Sequence, residues 1–346
     1  MRRAVLLAAG GALTLSLAGA ALGDVATADD SDPQALALLS AASHAGRAAN
    51  YEGTQLVMLW LGEKQLSASV QIEHRAGSGS LIHVEGTGST TARTVFEPDG
   101  QSSAGMAGPS AEALALVRRN FVVALDGSDD VLGRPVDIVV VRTRKGSPVQ
   151  RLWIDRGTGL PLRRRFYDDA GTLVRQTAFL SLRERTPAFT TTPVATMPAR
   201  APVGTVDVAG LRAQGWSVPA APDGMITYDA VVSGTGAGAV LHVAYTDGIQ
   251  SMSLFEQRGR LVEDKALLRG WRRTRVDGVR VWRSGGYPHR AMWGAGNHVY
   301  TLVTECPQQS VEQMIRSLPR GESSDGLAPR VRRGAVRVAS WVNPAG

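Results

Sequence analysis

RLWIDRGTGLPLRRRFYDDAGTLVRQTAFLSL, residues Arg151–Leu182, reads as three short strands joined by two tight turns. Asp155-Arg156-Gly157-Thr158-Gly159 supplies the first turn and Asp168-Asp169-Ala170-Gly171 the second. Glycine reaches positive φ there at low cost, and the aspartates can bond their own backbone. The last strand divides into one face with Val174, Ala178, Leu180 and Leu182 and another with Arg175, Thr177 and Ser181; only Gln176 and Phe179 break the alternation. A meander of this kind builds an antiparallel sheet with one buried side, a shape suited to holding something apolar. No reactive group sits within it, which points to a binding protein.

Working outward, the upstream segment adds strands of the same kind. Pro33–Ala49 has helical spacing, and Thr54–Leu61 reads as a strand. After Gly62-Glu63-Lys64, the residues Leu66, Ala68, Val70 and Ile72 alternate with polar neighbours. Strands are expected at 80–85, 93–97, 120–124 and 135–144, with a short helix at 110–118. Thr186–Pro202 holds four prolines and a run of threonines, which is linker composition. Beyond it, Asp207 can cap a short helix. Strands are expected at 225–233, 240–245, 250–257, 279–283, 291–293 and 298–304, then a closing helix at 307–318 with an apolar stripe of Val311, Met314, Ile315 and Leu318. The expected organisation is a signal peptide at 1–23, a first β-rich domain at 33–185, a linker at 186–205, a second domain at 206–320 and a basic disordered tail at 321–346.

Met1-Arg2-Arg3 followed by an apolar run to Leu22, with Ala21-Leu22-Gly23 as a small-x-small site, reads as a cleaved export signal. Cys306 is the sole cysteine, so no intrachain disulfide forms, and a packing role is expected for it. The chain carries 38 basic and 31 acidic residues; without Arg2 and Arg3 the balance is 36 to 31. A basic exported protein suits anionic lipid or an acidic partner, although most of these arginines read as a solvated surface with a frayed end, and nucleic acid is not an expected partner.

Catalytic patterns are weak. Gly234-Thr235-Gly236-Ala237-Gly238 lacks the Lys-Ser/Thr of a phosphate loop and precedes a strand, so it reads as a hairpin loop. His74 and His83 lie on adjacent predicted strands, in no metal or nucleophile motif. The pairs Asp129-Asp130 and Asp168-Asp169 are explained by turns. No enzyme activity, cofactor or metal is expected. The tryptophans are core residues by default, with a minority free to line a cavity or anchor a partner.

The chain resembles the RseB/MucB family of exported regulators of an envelope-stress sigma factor. The blocks that carry the resemblance are Asn50-Tyr51-Glu52-Gly53-Thr54, Ile72-Glu73-His74-Arg75, Gly133-Arg134-Pro135 and Arg151-Leu152-Trp153-Ile154-Asp155. They continue with Thr158-Gly159-Leu160-Pro161-Leu162, Gly215-Trp216, His242-Val243-Ala244-Tyr245-Thr246-Asp247-Gly248 and Ser251-Met252-Ser253-Leu254-Phe255. The resemblance implies an α+β, β-rich fold: a curved antiparallel half-barrel like that of the LolA/LolB lipoprotein carriers, wrapped over helices, plus a smaller mixed α/β C-terminal domain. It also implies binding to the extracytoplasmic part of a membrane anti-sigma factor, protection of that factor from proteolysis, and release on a lipid-like signal. The alternative it leaves is a lipid or lipoprotein carrier holding acyl chains; homo-oligomerisation stays open. Candidate cavity-lining residues are Trp60, Val70, Ile72, Trp153 and Leu180. Candidate partner-binding residues are Trp216, Tyr245, Phe255 and Trp282.

Overall fold

The computed structural model describes residues 31–61, 64–84, 93–98, 111–187, 195–196, 207–261 and 270–318. The expected signal peptide, the basic tail and most of the proline-rich linker lie outside these residues.

Two separate sheets organise the chain. The first holds β1 (Tyr51–Leu61), β2 (Lys64–Arg75), β3 (Gly79–Val84), β4 (Arg93–Pro98), β5 (Phe121–Val131), β6 (Arg134–Thr143), β7 (Pro148–Asp155), β8 (Pro161–Tyr167), β9 (Leu173–Arg183) and β10 (Ala195–Thr196). Their order is β10-β4-β3-β2-β1-β9-β8-β7-β6-β5, an open, curved sheet whose edges do not meet. All pairs are antiparallel except β10 with β4, so two residues of the proline-rich stretch join the sheet edge. The second sheet holds β11 (Ile226–Ser233), β12 (Val240–Thr246), β13 (Ser251–Arg258), β14 (Trp271–Val276), β15 (Val279–Ser284), β16 (His289–Ala295) and β17 (His298–Thr304), ordered β11-β12-β13-β17-β16-β15-β14. Four helices complete the described residues: α1 (Pro33–Ala48), α2 (Ala111–Asn120), α3 (Val208–Ala213) and α4 (Gln308–Ser317).

Helix α1 starts where the sequence says it should. Asp32 caps it, its Oδ1 accepting from the Gln34 N–H at 2.8 Å, and Pro33 occupies the first turn. Ala35, Leu39 and Ala42 recur on one face and are fully buried against Val123, Val139, Val141 and Leu152 of the first sheet. The Asp32 N–H donates to the Val123 carbonyl at 2.8 Å, which ties the helix start to β5.

The triple arginine of β8 shows how alternation sorts identical residues. Arg163 and Arg165 place their guanidinium groups 5.3 and 5.0 Å from the Trp153 ring centroid, whereas Arg164 lies 5.9 Å from the Phe166 ring. Burial pushes the Arg164 guanidinium down to about 10, and the nearby Arg175 charge adds to that.

The expected alternation of β9 fails at one position, for a structural reason. Thr54 of β1 pairs with Ser181, and the next residue, Gln55, pairs with Phe179. Leu180 is therefore the extra residue of a β-bulge. The bulge turns Leu180 outward, 53% exposed, and buries Phe179 against Tyr51 in an edge-to-face contact at 6.0 Å.

In the second sheet, α4 lays Val311, Met314 and Ile315 onto a core formed by Leu241, Val243, Tyr245, Leu254, Trp293 and Leu302. Strand β14 lies outside the strands expected from the sequence. Its turn into β15 is Asp277-Gly278, with φ of +46° and +85°, the positive pair that a two-residue type I′ hairpin demands.

Candidate functional site

The two sheets meet through contacts contributed by turns and strand ends. On the first side, α2 ends in Arg119 and Asn120. Asn120 Nδ2 donates to the Gly224 carbonyl at 2.6 Å and to the Asp247 carbonyl at 3.0 Å; Arg119 Nη2 donates to the same Gly224 carbonyl at 3.0 Å. On the second side, the β12–β13 turn presses into α2. Asp247 Oδ1 closes this turn by accepting from the Ile249 and Gln250 N–H groups at 2.9 and 2.7 Å. Burial raises the Asp247 carboxyl to about 6, against the lowering effect of those backbone donors. Gly248 sits at φ +102°, where a Cβ would stand 2.6 Å from the Ala113 carbonyl oxygen. Ile249 then packs on both the α1–α2 cluster and the cluster of Phe166, Val174 and Tyr287.

A charged contact crosses nearby. Arg175 of β9 meets Glu305 at 2.9 Å, and its guanidinium lies 3.9 Å from the Phe166 ring centroid.

Beside these contacts the sheets leave a cleft of about 570 Å³. Its first wall comes from Trp60 of β1 and the β8–β9 turn with Thr172, Leu173 and Val174. Asp168 shapes that turn, its Oδ1 accepting from the Ala170 and Thr172 N–H groups at 3.0 and 2.8 Å. The opposite wall carries Arg272 of β14, Arg283 of β15, Tyr287, Arg290 of β16 and the first turn of α4 through Gln308 and Val311. This is a recess with one apolar lip and a cationic floor. Among the described residues, no group of three or more His, Cys, Asp or Glu side chains is placed to hold a metal ion.

The sequence of residues 34–200 matches the family model of the MucB/RseB N-terminal domain. That match covers the unit built on the first sheet. No curated protein matches the chain. Among solved structures, a crystal structure of MucB in complex with periplasmic MucA superposes with a TM-score of 0.54 at 17% identity, covering 84% of this chain and 100% of that one. The Pseudomonas aeruginosa MucA/MucB complex superposes at 0.53 with 18% identity and the same coverage. The likeness in fold therefore extends past the MucB/RseB domain across both sheets.

Within this MucB/RseB-type unit the predicted cavity residues scatter. Trp60 lines a cavity, but it is the cleft between the sheets. Ile72 is buried in the first sheet's core and Val70 packs against it. Trp153 is 4% exposed, flanked by Arg163 and Arg165, with its indole N–H donating to Asp129 Oδ2 at 3.1 Å. It is packed rather than open, because two cross-strand arginines cover it. Leu180 faces solvent through the bulge.

The predicted partner residues divide in the same way. Trp216 and Tyr245 are core residues of the second sheet, Tyr245 fully buried with its hydroxyl donating to the Pro219 carbonyl at 3.2 Å. Neither is available to a partner in this conformation. Phe255 and Trp282 project from the sheet's other face. Phe255 stacks on His242 at 4.5 Å, and Trp282 packs beside Met292 and Val299.

His74 and His83 do not meet. His74 Nε2 lies 3.2 Å from the Arg47 carbonyl, which requires a proton on Nε2, and its Nδ1 lies 2.9 Å from Ser80 Oγ. His83 bonds Thr94 instead. Cys306 is buried, and that burial pushes its thiol well above the ordinary value, as suits a packing role. The cleft arginines escaped sequence reading because they lie on strands 18 residues apart from first to last; the Asp277-Gly278 hairpin signal would have brought Arg272 and Arg283 together.

Proposed function

We propose that the chain is an exported regulatory binding protein that grips the extracytoplasmic segment of a membrane anti-sigma factor, shields it from proteolysis and lets go on a lipid-like envelope signal. The observation that carries this reading is the two-sheet architecture shared over the whole length of MucB, a protein crystallised in complex with MucA, with a cleft lying between the sheets here. Among the described residues, contacts between the sheets are modest: one ion pair, a few hydrogen bonds and a small apolar cluster. Such an interface can adjust, so a ligand that prefers one arrangement of the sheets changes partner affinity by its differential binding free energy. No helix among the described residues is long and apolar enough to cross a membrane.

The test mixes the purified mature chain with the extracytoplasmic segment of an anti-sigma factor encoded beside it. A saturable complex that slows proteolysis of that segment is the expected result. Absence of any complex overturns the reading. Lipid extraction from the same preparation separates it from the carrier alternative, which requires stoichiometric bound lipid.

A further inference from the structure

We propose that the cationic floor of the cleft is a binding site for a phosphoryl group carried on an organic body. Arg272 and Arg283 stand directly opposite each other on β14 and β15, and both line the cleft with Arg290. Like charges directly across a strand pair repel. Among the described residues, no carboxylate pairs with Arg272 or Arg290. Arg283 reaches Glu312 at 3.5 Å, through Nη2 alone. The Nε atoms of Arg283 and Arg290 are buried without a hydrogen-bond partner, a costly state that an arriving acceptor relieves.

Helix α4 begins at the same wall, and no side chain caps its N-terminus, so its first N–H groups add positive potential. Among the described residues, Asp168 is the one carboxylate on the cleft lining, across on the first sheet. With Glu312 beside Arg283 and Asp168 across the cleft, three guanidinium groups still outnumber the two carboxylates, and their planar forks match phosphate oxygens. The cleft exceeds what a bare phosphate fills, and Trp60, Leu173, Val174 and Val311 offer apolar surface to whatever the phosphate is attached to. This site does not depend on the identity of the protein partner.

Isothermal titration of the full mature chain tests it with three probes: inorganic phosphate, glycerol 3-phosphate and dihexanoyl phosphatidic acid. Saturable one-to-one binding is expected, tightest for a probe with an organic body. The probe that gains most tells whether a soluble ester or a lipid headgroup is the source. R272Q/R290Q is expected to weaken binding by about tenfold for each guanidinium removed. R280Q, on the opposite face of the same hairpin, is expected to leave binding unchanged. Thermal melting without ligand checks folding, and R272K/R290K, which keeps the charge but loses the fork, is expected to fall between. Overturning results are no saturable binding of any probe, binding that survives both double variants, or equal loss in R280Q.

Discussion

Arg175 on β9 and Glu305 after β17 form an ion pair of 2.9 Å that joins the two sheets. Arg175 also lies over Phe166, so its guanidinium holds two interactions, whereas the Glu305 carboxylate holds this ion pair. The ion pair is partly exposed and is worth at most about 1 kcal/mol. Arg175→Ala is therefore expected to destabilise by about 1–2 kcal/mol, through the lost pair, stacking and packing. Glu305→Gln is expected to cost no more than about 1 kcal/mol. Denaturant unfolding of both variants measures this, and equal losses would contradict the role given to Phe166.

Gly248 makes a sharper prediction about the same junction. A methyl group there meets the Ala113 carbonyl at 2.6 Å and Val117 Cγ2 at 3.0 Å, from a φ that side chains avoid. Gly248→Ala is expected to cost roughly 1–3 kcal/mol and to push the β12–β13 turn away from α2. Small-angle scattering then reports a larger radius of gyration than the wild type. An unchanged melting temperature with unchanged scattering would show that the turn does not press on the helix.

Much of this architecture could be read from residues alone, and the failures share one cause. Strand positions followed from period-two alternation and from turns such as Asp168-Asp169-Ala170-Gly171, because both act over a few residues. Helix α4 followed from its stripe, and α1 from Asp32, Pro33 and the leucine–alanine face. What alternation cannot reveal is a one-residue bulge, since it depends on register with a strand more than a hundred residues away. That misplaced Leu180. Tryptophans and tyrosines carry no sequence mark telling core from surface, so Trp216 and Tyr245 were offered as contacts when they fill the second core. The cleft needs β1, the β8–β9 turn, β14–β16 and α4 at once, a meeting that only the tertiary structure supplies.

The second sheet contains a buried carboxyl whose titration is readable. Glu256 is 1% exposed and accepts the Ser217 N–H on both oxygens at 2.9 and 3.1 Å. Burial raises it from 4.5 to about 7, more than Ser217 and Arg258 lower it. An acid with a raised folded-state pKa holds its proton more firmly folded than unfolded. Its contribution to stability is complete below about pH 4.5 and is lost as pH climbs toward 7. Asp247, raised from 3.8 to about 6, acts in the same direction. His298, 3.5 Å from Glu256, acts oppositely: its pKa is lowered by burial, so it favours the folded state only above its ordinary range. Glu256→Gln removes the loss that this carboxyl contributes between about pH 4.5 and 7. Its melting temperature relative to wild type is expected to rise from about pH 5 to pH 7 and to level off above that; parallel curves would rule out Glu256 as the titrating group.

The bulge in β9 supplies a paired test with opposite outcomes at neighbouring residues. Leu180 is the extra residue, more than half exposed, and Phe179 beside it is buried against Tyr51 and above Gly53. Replacing a buried phenylalanine with alanine removes its transfer free energy and leaves a cavity, a loss of about 3–5 kcal/mol. Replacing an exposed residue away from such contacts usually changes stability by less than about 0.5 kcal/mol. Phe179→Ala is thus expected to lower the unfolding free energy severalfold more than Leu180→Ala. Simple alternation makes the reverse prediction, because it puts Leu180 with Val174 and Ala178 on the apolar face. Chemical denaturation of the two variants decides between them. A larger loss for Leu180→Ala means that β1 and β9 pair without the register shift at Thr54 and Gln55, and with it would go the packing of Tyr51, Phe179 and Gly53.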